Sequence, residues 1–466
     1  MLDAGLVASL LLSTGAGVCV GISAGLVPGL HMNNIAAALV AYAGAAVGLF
    51  SAVNALSGGP NAGLLVASFV ASALVAHMFA EAITSTYIGI PSEDMVSVLP
   101  AHRLAKAGYG SVAVRASVDG SLVGTAVATA VFLPSCLLMG EPVGLYSLLK
   151  KVMLFVVIGF SVVLVLADGD EHGLRVSGLR RAMAHRVKAA TSFLASGLLG
   201  FLVLQTDYAS CGLPDLPWMT AGFVQRSALL LPMFAGLFGL PSLLMSLMAR
   251  PGKELHDAPQ VSYSFEGRAS DLALAILGGT LVGWLPGMTS GCAATVCAPG
   301  TREHGGEGDL RGSARFIWLY SAISSSGVVF ALAALFVISR ARSGSMDAIS
   351  FFVGDGEPGF ASVGEAFAAS SLLLSCLVSA LVSHRLVRSL EQRLAGLQRL
   401  LCSRRTAVAA VMFVVALSCA LTGSRGMLVM AAATTMGLIP PLAGVRRIQL
   451  MGCLLVPVAL VFAGVS

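Results

Sequence analysis

Apolar runs of roughly membrane-crossing length recur from one end of this chain to the other, and nothing else in it restricts the fold so sharply. They begin with Leu6–Leu26, Ile35–Val53 and Leu64–Ala80, continue through Val112–Met139, Ala228–Met248 and Phe316–Ile338, and end with Leu450–Val465. A hydrocarbon core about 30 Å thick takes about 20 apolar residues as a helix. Charged residues make up only 11% of the 466, against about 25% in a soluble domain. The fold class that follows is all-α: a polytopic, multi-pass protein of the cell membrane with about 10–12 transmembrane helices. The opening MLDAG lacks a basic n-region, so the first run reads as a membrane helix rather than a cleavable signal.

Charge and cysteine narrow the function. The net charge is +5, but arginines crowd into short loops between apolar runs, above all 172–188, 385–405 and 445–447. Positive-inside bias explains this, placing those loops in the cytoplasm and giving no reason to expect nucleic acid. Five apolar runs separate the first two loops. Two cytoplasmic loops require an even number of crossings between them, so the run ending at Trp284 is expected to enter and leave on one side. The nine cysteines form no CxxC pair and no His/Cys cluster, which fits small buried fillers rather than a metal site. With no HExxH and no GK[ST] glycine loop, neither an enzyme nor a cofactor is expected.

Against this background, "GLVPGLHMNN" at 25–34 and "GWLPGMTSGC" at 283–292 stand out. Proline removes a backbone donor and clashes with the preceding turn, and the adjacent glycine permits angles that other residues avoid. Each pair therefore interrupts a helix. In hydrocarbon such an interruption survives only where protein or a water-filled cavity covers it. Asn33 or Asn34 is suited to cap a new half-helix after the first, and Thr289 or Ser290 after the second. Half-helix starts offer free N–H groups and a positive dipole end to an anion. Matched breaks in two halves of a transporter point to the substrate site. The candidate substrate-binding residues are therefore Pro28, Gly29, His31, Asn33 and Asn34 in the first break. In the second they are Pro286, Gly287, Thr289, Ser290 and Gly291.

Both interruptions resemble those of the tripartite tricarboxylate transporter permease family, TctA, in their G-x-x-P-G-[LM] pattern. Further stretches agree: 89–124 from "GIPSEDM", 195–244 with its "GLFGL" helix, and 437–460, "GLIPPLAGVRRIQLMGCLLVPVAL". "VLPAHRL" and the IPP, VRR and MG details favour the archaeal branch. The resemblance implies a permease served by an extracytoplasmic binding protein and a small membrane subunit. It fits two structural repeats, each with a broken or re-entrant helix: 1–170 and 266–466, joined by a basic loop and central helices at 171–265. The run His31, Met32, Asn33, Asn34 departs from the small residues that bacterial carboxylate permeases carry there. The segment after Ile90-Pro91 also lacks the usual glycine, so the substrate is not carried over.

Several residues read two ways. His31 either serves a carboxylate or a proton, or is a hydrogen-bonded structural histidine. His77 and Glu81 share a helix face four residues apart. Glu81, with Ser85 one turn on, is a candidate coupling-ion site for Na+ or H+, or else a carboxylate at the water interface paired only to His77. Asp94, in "PSEDM", is a third coupling-ion candidate, although Ser92, Glu93 and Asp94 also read as an ordinary helix start. His102 and Arg103 read as juxtamembrane anchors, Asp207 and Asp215 as loop carboxylates, and Cys292 as a filler.

The leading expectation is a secondary-transporter-like permease that moves a small organic anion of the di- or tricarboxylate class, held at the two broken-helix starts. The alternative is a carrier of polyprenyl phosphate, since "LPGMTSGCAATV" also resembles the break of undecaprenyl-phosphate translocases and a helix start suits phosphate equally. A membrane hydrolase using Ser290 or Cys292 lacks a base.

Overall fold

The computed structural model describes residues 4–27, 32–55, 62–87, 98–166, 179–205, 229–248, 269–297, 310–354, 363–394 and 404–465. In chain order the helices are α1 (Ala4–Leu26), α2 (Met32–Ala41), α3 (Ala43–Ala55), α4 (Ala62–Tyr87), α5 (Val98–Lys106), α6 (Gly110–Ala130), α7 (Phe132–Met139), α8 (Leu145–Leu166) and α9 (Leu179–Gln205). Next, α10 (Leu230–Phe234) runs through a π turn, Ala235–Gly239, into α11 (Leu240–Met248). The remainder are α12 (Ala269–Trp284), α13 (Ser290–Cys297), α14 (Leu310–Ile338), α15 (Gly344–Val353), α16 (Val363–Leu394), α17 (Arg404–Ala443) and α18 (Gly452–Phe462). No strand occurs among the described residues.

Seven of the described helices are long and apolar enough to cross a membrane, and α6 with α7, bent by 59°, makes an eighth. Shorter apolar helices, α12 and α15 among them, accompany these. The 16 residues of α12 reach only about 24 Å at 1.5 Å per residue, short of a core about 30 Å thick.

The helix before each interruption lies against the next long helix of its own half. α1 packs on α4, and α12 on α14. Both contacts are made by glycines four apart. A side chain at Gly17, Gly21 or Gly25 would run into the α4 backbone, and one at Gly279 or Gly283 would strike Ser326 or Phe330. Small residues at this spacing let membrane helices approach closely, which hydrophobicity alone does not achieve in lipid. Hydroxyls then fasten the pairs: Ser13 donates to the Leu65 carbonyl (2.5 Å) and Ser326 to that of Ala275 (3.0 Å).

The halves also interlock. α4 packs on α16 of the other half, and α14 packs on α6. Ser379 donates to the Ser72 carbonyl at 2.7 Å, while Ser117 and Ser321 bond each other at 2.8 Å. Each of α4 and α14 is thereby enclosed by protein over most of its length, whereas α8 leaves Leu148, Phe155, Ile158 and Val162 outward. Such a face belongs against acyl chains.

Candidate functional site

The second interruption is fully described. α12 stops at Trp284, Gly287 turns the chain with φ +72°, and α13 begins at Ser290. Thr289 is the cap: its hydroxyl accepts the Cys292 backbone N–H at 3.3 Å, and its carbonyl accepts the Ala293 N–H at 2.9 Å. Cys292 is fully buried, as a filler should be. At the opposite end of α12, buried Asp271 accepts two bonds from Arg315 on α14, at 2.6 and 3.0 Å. The broken helix is thus held to its neighbour by charge at one end and by glycine packing along its length.

Around the first interruption, α1 ends at Leu26 and α2 starts at Met32. Pro28, Gly29 and His31 lie outside the described residues, as do Ser92, Glu93, Asp94, Asp207 and Asp215, and the side chain of Asn34. Asn33 corrects the expectation of a cap. It sits inside α2, and its Oδ1 accepts the backbone N–H of Ser345 (3.0 Å) and the Ser345 hydroxyl (2.9 Å). It therefore caps α15, in the other half of the chain, and not its own helix. Ser343 completes that cap, its hydroxyl accepting the Met346 N–H.

One cavity of about 400 Å³ gathers these elements. From the first half it is lined by Asn33 and by a single face of α4 carrying Met78, Glu81, Ala82 and Ser85. From the second half come Pro286, Gly287, Thr289 and Ser290, then Tyr320, Ser321 and Ser324 of α14, and Arg342, Ser343 and Gly344 leading into α15. Ser117 and Ser121 of α6 close one wall, and Met451, Leu454 and Val458 another. Three- and four-residue spacing on α4 and α14 is what turns these side chains to one side of each helix. Of the expected residues, Asn33, Glu81, Ser85, Pro286, Gly287, Thr289 and Ser290 line the cavity together. Gly291 does not: it is buried within α13, its carbonyl accepting the Thr295 hydroxyl.

Glu81 lies 3.7 Å from the buried His77, so the pair read from their spacing exists, and the carboxylate borders the cavity as well. His102 bonds the Thr86 carbonyl through Nδ1 at 3.0 Å, which ties α5 to the end of α4.

Sequence reading passed over Arg342. Its Nη2 donates to the Trp284 carbonyl at 2.6 Å and to the Tyr146 hydroxyl at 3.0 Å, with the guanidinium 5.7 Å from the Tyr146 ring centroid. Trp284 is the last residue of α12, so the guanidinium caps the broken helix where its carbonyls run out. No group of three or more His, Cys, Asp or Glu side chains suited to a metal occurs among the described residues. The arrangement is that of a largely apolar chamber whose lining includes a guanidinium, two capped helix starts and a carboxylate.

The family model described as Tripartite tricarboxylate transporter TctA family matches residues 11–452, nearly the whole chain. No curated protein and no solved structure matches.

Proposed function

The chain belongs to the tripartite tricarboxylate transporter TctA family, and on that premise we propose that this multi-pass plasma-membrane permease carries a small organic anion of the di- or tricarboxylate class by alternating access. One observation supports this reading above others: the second interruption, the start of α15 and Arg342 face the same cavity. Helix starts and a guanidinium complement carboxylate oxygens. The cavity's volume lies within the roughly 300–1,000 Å³ usual for small-molecule sites.

In this reading the anion lies against Thr289, Ser290 and Ser343. Pro28, Gly29, His31 and Asn34 belong to the same site through the first break. Glu81 and Ser85, which line the same cavity, hold the coupling ion, Na+ or H+, beside the substrate; Asp94 is the further candidate for it. A cation at Glu81 offsets the charge that a polyanion brings into a low-dielectric chamber, where unpaired charge is costly. Transport in the cell engages a small membrane subunit and an extracytoplasmic binding protein, as the family's tripartite description implies.

The test is binding and counter-exchange of labelled citrate, malate and tartrate by the purified, reconstituted protein, with and without a sodium or proton gradient. Saturable exchange of at least one of these acids is expected. Binding of polyprenyl phosphate with no exchange of any soluble acid would overturn the reading in favour of a lipid carrier.

A further inference from the structure

Arg342 carries an inference that rests on the proposed anion transport but goes further. Its guanidinium has five N–H donors and cannot be neutralised in a protein. Nη2 is committed to the Trp284 carbonyl and the Tyr146 hydroxyl. Nε is enclosed by protein yet has no protein partner, although the residue borders the cavity. An enclosed, unmatched donor on a permanent cation is expensive to maintain. Here its orientation is fixed by two bonds and the face of an aromatic ring, so the side chain cannot simply turn towards another acceptor.

We infer that Arg342 receives the substrate's carboxylate. The anchored Nη2 holds the guanidinium plane in place. Nη1, neither committed to a protein acceptor nor enclosed as Nε is, serves an anion in the chamber, where Ser290 and Ser324 supply hydroxyls to its remaining oxygens. The ligand class is an organic carboxylate small enough for the chamber, bound through a charge-assisted hydrogen bond. Lysine is a poor substitute, because its ammonium cannot keep the Trp284 and Tyr146 bonds while presenting a second, rigidly placed donor.

Equilibrium binding of labelled citrate, malate and tartrate to the purified full-length protein tests this. Arg342→Gln is expected to abolish measurable binding, and Arg342→Lys to raise Kd about tenfold or more, the loss of one charge-assisted bond. Arg340→Gln removes an equal charge from an exposed neighbour outside the cavity and should leave Kd unchanged. A second measurement needs no variant: citrate should protect Arg342 from phenylglyoxal in the unmutated protein, read by peptide mapping. Wild-type Kd in Arg342→Lys, or modification of Arg342 unaffected by an acid that binds, overturns the assignment. Failure of the unmutated protein to bind any of the three acids instead overturns the anion-transport reading on which it rests.

Discussion

Thr289 holds the start of α13 through one hydroxyl, and an N-cap of this kind is worth about 1 kcal/mol. Thr289→Ala should lower the thermal midpoint of the purified protein, and Thr289→Ser should restore it; equal midpoints for the two would remove the cap from the account. Glu81→Gln should leave the protein folded while abolishing the dependence of exchange on the cation gradient. Retained dependence would move the coupling ion elsewhere. Residue types were legible in the sequence where the partner is local, as for Thr289 or for Glu81 beside His77. They were not where the partner is distant. Asn33 reads correctly as a capping residue, but the N–H it accepts, that of Ser345, lies 312 positions later, and nothing in "HMNN" carries that information. Arg342 was missed for a related reason. Of the two arginines in "SRARSG", neither can be told from a loop anchor of the positive-inside kind until the fold sets Trp284 and Tyr146 against Arg342.

Elements were easier to read than their partners. Each run of apolar residues is a local property, so the long helices follow from hydropathy, and Pro286-Gly287 marks the end of α12 within two residues. The left-handed turn at Gly287 needs the absence of a side chain for its backbone angle rather than for room. A Cβ there would meet Val458 and Leu455 only at ordinary contact distance, while the conformation itself costs other residues about 1–2 kcal/mol. Gly287→Leu should therefore abolish citrate exchange with membrane insertion and helical content intact. Unchanged exchange would remove the interruption from the transport cycle. The bend between α6 and α7 was not read from hydropathy, although Pro134 in the first turn of α7 marks it: proline has no N–H to offer the Ala130 carbonyl.

At the scale of the whole molecule, the halves are joined by charge as well as by packing. His384 and Arg388 of α16 approach Asp119 of α6 at 2.8 and 3.5 Å, and Arg115 faces Glu391 at 3.7 Å. Reversing one charge, Asp119→Arg, should lower the thermal midpoint, and adding Arg388→Asp should recover part of it. Strictly additive effects would show that the pair is not coupled. No sequence signal announces this contact, because its members are about 270 positions apart and meet only once α6 and α16 pack. The guanidinium resting on Trp284 has an electrical consequence of its own. Interrupting a helix creates opposite poles a few residues apart, and an ion beside both would feel their attraction and repulsion nearly cancel. By covering the negative pole with a fixed cation, Arg342 leaves α13 to act unopposed, so that a structural defect with no net preference becomes a one-signed receptor.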